Sequence, residues 1–102
     1  MPNRILAYER IAALASIPHW QASDHREAVQ RSFEFADFST ACEFVNQVAE
    51  IAAEMQHYPE WSNYKNRVDI TLTTPEVGGL SELDMDMAQA IDELLERLSY
   101  RA

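Results

Sequence analysis

Over residues 67–74 the side chains alternate without a break: Val68, Ile70 and Leu72 are apolar, and Asp69, Thr71 and Thr73 are polar. A two-residue period puts these sets on opposite faces of a strand, and Pro75 ends it by removing a backbone donor. A second alternation, over residues 28–35, sets Val29, Arg31, Phe33 and Phe35 against Gln30, Ser32 and Glu34, with Arg31 the misfit on the apolar side. His19-Trp20 begin an extended piece before it, and the polar run Ser23-Asp24-His25 supplies a turn, so residues 20–35 read as a hairpin. A short strand over residues 60–63 follows the Pro59 turn, with Tyr64-Lys65-Asn66 as its connection to the clear strand.

Between these strands the period changes to that of a helix. Over residues 5–16, Ile5, Tyr8, Ile11, Ala12 and Leu14 recur near helical spacing until Ile17-Pro18. Over residues 38–56 the apolar positions are Ala41, Phe44, Val45, Val48, Ile51, Ala52 and Met55, flanked by Phe38, Cys42 and Ala49. Asp37 or Ser39 can cap this helix, and Thr40-x-x-Glu43 offers a capping box instead. A helix facing one sheet needs a narrower stripe, so this one has surface for a sheet on one side and a partner helix on the other. Gly78-Gly79 reads as a flexible loop, Ser81-x-x-Asp84 caps the last helix, and that helix buries Met87, Ile91, Leu94, Leu95 and Leu98. The order α-β-β-α-β-β-α predicts an α+β fold, a four-stranded antiparallel sheet with three helices packed on one face, as a single domain over residues 1–102.

Charge narrows the function classes. The 102 residues carry a net charge of −9, whereas a nucleic-acid module shows a basic face, so no nucleic-acid partner is expected. No segment has the length of apolar sequence that a bilayer span needs, and the N-terminus lacks a signal-peptide core, which predicts no membrane association and a cytoplasmic location. The single cysteine, Cys42, excludes an intrachain disulfide and reads as a buried, inert thiol on the helix stripe. His19, His25 and His57 have no metal-ligand spacing among them, so no metal and no resident cofactor is expected. His57, before Tyr58-Pro59 at a helix-to-strand turn, is read as exposed enough for acid–base work. Trp61 reads as a core or edge aromatic and Asp84 as a cap residue, with ligand contact the competing role for each.

The element order, the Trp20 segment, the run Phe33-Glu34-Phe35-Ala36-Asp37-Phe38, and residues 57–84 together resemble the pterin-4a-carbinolamine dehydratase family over nearly the whole chain. The resemblance implies loss of water from a 4a-hydroxytetrahydropterin, carried by histidines in a His-His-Pro turn and a third after a Thr-rich strand end. Here those positions hold His57-Tyr58-Pro59 and Thr74-Pro75, so one histidine of three remains. By resemblance, His57 and Tyr58 are the candidate catalytic residues, and Trp61, Thr73, Thr74 and Asp84 the candidate substrate contacts. Family members form dimers by extending the sheet, and tetramers through the long helix, which implies a homodimer or tetramer. Other positions depart as well: Ala53, Lys65 and Leu83 stand where the family carries an acidic, an aromatic and a basic residue. The family also has binding branches. One stabilises dimers of a transcription factor, and another, encoded with α-carboxysomes, lacks the catalytic histidines and assists assembly of RuBisCO. The eroded site is similar to that second branch, which implies a non-catalytic role in RuBisCO assembly and a carboxysome-associated location. The alternatives are a working dehydratase that uses His57 with Tyr58 to recycle the pterin of aromatic amino-acid hydroxylases, and a protein that binds a pterin without turnover.

Overall fold

A computed structural model describes residues 2–99. The alternating segments become strands: β1 (Gln21–Ala22), β2 (Val29–Glu34), β3 (Glu60–Tyr64) and β4 (Arg67–Leu72). They form one antiparallel sheet in the order β1-β2-β4-β3. In the register Phe33 lies opposite Val68, and Trp61 opposite Ile70, so one face collects apolar side chains. The other face is polar, with Gln30 opposite Thr71, and Ser32 opposite Asp69. The three helices, α1 (Arg10–Ala15), α2 (Phe38–Met55) and α3 (Glu82–Ser99), cover the apolar face. The α+β architecture expected from the element order is the one observed.

The core lies between β2 and β4 and the buried sides of α2 and α3. Val29, Phe33, Val68, Ile70 and Leu72 meet Phe44, Val48, Ile91 and Leu94 there. Phe44 sits between Phe33 and Phe35, at ring distances of 4.8 and 5.0 Å. Arg31, the misfit of β2, donates from Nη1 to Asp92 Oδ1 on α3 at 2.6 Å, and its guanidinium lies 4.8 Å from the Phe33 ring centre. Trp20 Nε1 donates to the same oxygen at 2.9 Å. A charge on the apolar side of the strand is therefore met by a carboxylate and a ring face, which is how such groups are tolerated.

Four local expectations are corrected. The first helix is shorter than residues 5–16, because the Ile5 N–H bonds to the Leu80 carbonyl at 2.7 Å and holds the chain extended. A 3₁₀ turn at Ala7–Glu9 then leads into α1. Tyr8 and Ile11, which recur at helical spacing, are 83% and 85% exposed, and Ile17 beyond the helix is fully buried. Gly78-Gly79 is a structured turn: Thr74 and Gly79 exchange backbone hydrogen bonds, Gly78 has a φ of 70°, and Gly79 passes close to Arg4. Cys42 is half-buried, since α2 buries only the stripe Ala41, Phe44, Val48 and Ala52. The helix is capped by Asp37, whose Oδ1 accepts from the Thr40 N–H at 2.8 Å.

Candidate functional site

The end of α2 places His57. Gln56 takes the left-handed conformation, with φ 50° and ψ 42°. The Gln56 N–H reaches the Ala53 carbonyl, and the His57 N–H reaches the Ala52 carbonyl at 3.2 Å. These two bonds form a Schellman motif, whose left-handed position is normally glycine. The chain reverses there and turns the imidazole inward. His57 is 4% exposed, which corrects the expectation of an exposed turn histidine. Its partner comes from the start of α3, where Asp84 is fully buried.

His57 Nε2 lies 2.6 Å from Asp84 Oδ1. A carboxylate accepts, so Nε2 carries the proton in this bond. The second carboxylate oxygen accepts from Thr74 Oγ1 at 2.7 Å and from the Ser81 N–H at 3.0 Å. Thr74 has one hydroxyl proton, directed at Asp84, so the 2.7 Å contact between the Thr74 and Ser81 hydroxyls has Ser81 as donor. Ser81 Oγ in turn accepts from the Leu83 N–H at 3.2 Å. Ser81-x-x-Asp84 caps α3, the Asp84 carboxylate accepting from the Ser81 N–H and the Ser81 hydroxyl from the Leu83 N–H, and the same carboxylate does a second job by fixing the imidazole. No buried side-chain nitrogen or oxygen among the described residues lacks a partner. The Nδ1 edge of His57, which has no protein partner, therefore meets the cavity that His57 lines.

That cavity, of about 290 Å³, is lined by Gln56, His57, Tyr58, Pro75 and Glu76. It brings together His57 and Tyr58, the two catalytic candidates, with Tyr58 71% exposed. The four residues suggested as substrate contacts do not line it. Thr74 and Asp84 are fully buried in the polar network, and Thr73 donates from Oγ1 to the Glu27 carbonyl at 2.7 Å. Trp61 lines a separate depression on β3 with Glu60, Ser62, Asp69 and Thr71. Gln56 and Glu76 were not singled out from the sequence. The signal for each was its place beside a turn proline, Gln56 three residues before Pro59 and Glu76 next to Pro75. His19 and His25 do not line the His57 cavity, and no cluster of metal-ligating side chains occurs among the described residues.

Residues 4–94 match the family described as pterin 4 alpha carbinolamine dehydratase. The chain belongs to that family. A relative from Burkholderia vietnamiensis, provisionally designated a pterin-4-alpha-carbinolamine dehydratase, is 47% identical over 94 residues, covering 92% of each chain. The solved transcriptional coactivator/pterin dehydratase from Brucella melitensis is 46% identical, with a TM-score of 0.85, over 89% of this chain and 97% of that one. A solved pterin dehydratase-like protein, identified as a RuBisCO assembly factor in the α-carboxysome, shares the fold at 21% identity. Its TM-score is 0.63, over 74% of this chain and 87% of its own. The buried network gives Thr74, Ser81 and Asp84 an architectural role. Tyr58 and Pro75, where the resemblance implies histidines, line the cavity. No helix among the described residues is long and apolar enough to cross a membrane.

Proposed function

We propose that this protein uses the dehydratase fold with little or no dehydration and acts by binding a protein partner. The observation that carries the reading is that His57 is the sole imidazole lining the cavity. Dehydration at C4a needs one group to protonate the leaving hydroxyl and another to take the ring proton. A tyrosine, with an ordinary pKa of about 10, is a poor base at neutral pH, and Pro75 has no titratable side chain. One well-placed proton donor or acceptor is worth about 10²–10⁴-fold in rate, so two mismatched positions remove most of the acceleration. Protein contact is supported by the apolar side chains left on the surface, among them Leu6, Tyr8, Ile11, Phe38 and Tyr64. The half-buried flank of α2, with Val45, Ile51 and Met55, and the outer edge of β3 suit a homodimer or tetramer. The fold shared with a RuBisCO assembly factor makes RuBisCO the first partner to test, and a carboxysome-associated location goes with it.

The test is a dehydratase assay on the wild type beside the double variant Tyr58→His, Pro75→His. The expected result is turnover near the uncatalysed background for the wild type and a clear gain for the double variant. Wild-type turnover at a rate close to that of a complete-histidine relative refutes the proposal. One observation favours the second reading, a working dehydratase: the buried Asp84 carboxylate holds His57 with its free nitrogen toward the cavity, as an acid–base group requires. Co-purification with an aromatic amino-acid hydroxylase supports that reading, and co-purification with RuBisCO supports the first.

A further inference from the structure

The polar groups around the His57 cavity can all accept a hydrogen bond. Glu76 presents a carboxylate with no hydrogen bond or ion pair among the described residues. His57 spends its Nε2–H on Asp84, which leaves Nδ1 on the cavity side, an acceptor whenever the ring carries only that one proton. The Gln56 amide and the Tyr58 hydroxyl are likewise unpartnered among the described residues, and each has an acceptor oxygen. No lysine or arginine lines the cavity. Most of the chain's arginines are already engaged: Arg10 with Glu27, Arg26 with Glu60, Arg31 with Asp92 and Arg67 with Asp69. Glu76 has no such neighbour, in a chain whose net charge is −9. Beside these acceptors stands a flat aromatic surface, the Tyr58 ring, 71% exposed.

We propose that this cavity receives an arginine side chain of a partner protein, its guanidinium stacked on the Tyr58 ring, paired with Glu76 and donating to His57 Nδ1. A guanidinium is a planar fork of five donors and no acceptors, and it matches a carboxylate edge and an aromatic face together. An ammonium, a point charge, matches only the carboxylate. The left-handed backbone at Gln56 fits this reading, because strained non-glycine positions gather where a side chain is needed for function. The inference rests on the protein-binding reading and names the group of the partner that the eroded site would accept.

The test is a two-dimensional amide NMR titration with N-acetyl-arginine methylamide, against the citrulline analogue, which has nearly the same shape without the charge. The expected result is weak, millimolar binding of the arginine probe, with shifts at residues 54–58 and 74–78. Binding of the citrulline probe should be about five-fold weaker or more, from loss of the ion pair and the cation–π contact. Glu76→Gln and Tyr58→Ala, both at exposed positions, are each expected to weaken the arginine probe about two- to five-fold while keeping the wild-type melting temperature. Equal binding of the two probes, shifts elsewhere on the surface, or unchanged affinity in both variants overturns the proposal. A dehydratase assay on the same sample separates the two levels. Absent turnover with no arginine binding overturns this inference alone, and robust turnover overturns the protein-binding reading on which it rests.

Discussion

Asp84→Ala is the most informative single perturbation, because one carboxylate there serves three buried donors. Removing it strands the Nε2–H of His57, the Thr74 hydroxyl and the Ser81 N–H, in a region where His57 is 4% exposed and Thr74, Ser81 and Asp84 are fully buried. A buried donor left without an acceptor costs about 1–3 kcal/mol. Two of the three have partial escapes. Thr74 can redirect its proton to Ser81 Oγ, 2.7 Å away, and the imidazole can move its proton to Nδ1. Thus we expect a loss of about 3–5 kcal/mol, below the simple threefold sum. A domain of this size is stable by about 5–15 kcal/mol in all, so the variant should be marginal at room temperature.

Asp84→Asn separates the cap from the histidine contact. Its amide oxygen can keep the bonds from Thr74 and Ser81, while its NH₂ turns toward His57. The imidazole then has to accept at Nε2 and carry its proton on Nδ1, the opposite tautomer. The expected cost is about 1 kcal/mol, well short of that of alanine, and the tautomer change reads out directly in the imidazole nitrogen shifts. Urea unfolding monitored by Trp fluorescence measures the stabilities. A loss under 1 kcal/mol in the alanine variant refutes the network as a structural unit. Equal losses for Asn and Ala refute the division of labour between the two carboxylate oxygens. The Asn variant also turns the cavity-facing nitrogen from acceptor to donor, so it should weaken the arginine probe without unfolding the protein.

Gln56→Gly relieves the left-handed position that ends α2, and is expected to stabilise by about 0.5–1 kcal/mol, seen as a rise of a few degrees in melting temperature. Stability should also fall in acid. Thr40 hydrogen bonds hold the Asp37 pKa below its ordinary value, the Arg26 hydrogen bond does so for Glu60, and Ser32, with help from Arg67, does so for Asp69. Each binds its proton more readily in the unfolded chain, so their stabilising effect is full at neutral pH and is lost as pH drops below about 4, which a series of urea midpoints against pH would show. Ile51→Glu places a charge on the half-buried flank of α2, and should shift a sedimentation profile toward monomer while leaving the helical circular dichroism intact.

The alternating strands, the central helix and the capping box were legible because each is written in local spacing. Val68, Ile70 and Leu72 face the core as their period requires, and Asp84 caps α3 as Ser81-x-x-Asp84 implies. Arg31 was legible as a misfit, but its resolution was not, since Asp92 lies 61 residues away. The burial of His57 was hidden for the same reason: the partner is 27 residues distant and had already been assigned a local task. A carboxylate has two oxygens, and a capping role uses one of them. The N-terminal segment misled because Tyr8 and Ile11 keep helical spacing without a surface to cover, while Ile5 is held extended by its bond to Leu80.

The buried polar residues and the cavity residues answer to different demands. Thr74, Ser81 and Asp84 form a closed, fully satisfied network that joins the end of β4 to the start of α3 and pins the turn after α2 through His57. Selection for folding alone is enough to keep them, because losing any one leaves a buried donor or acceptor unpaired. Tyr58 and Pro75 are exposed and take no part in that network, so the network places no demand on which residues stand there. Identity at the buried positions is accordingly weak testimony for dehydration. A test of the proposed function therefore belongs at the residues around the cavity, where a tyrosine, a proline and a glutamate surround a single imidazole.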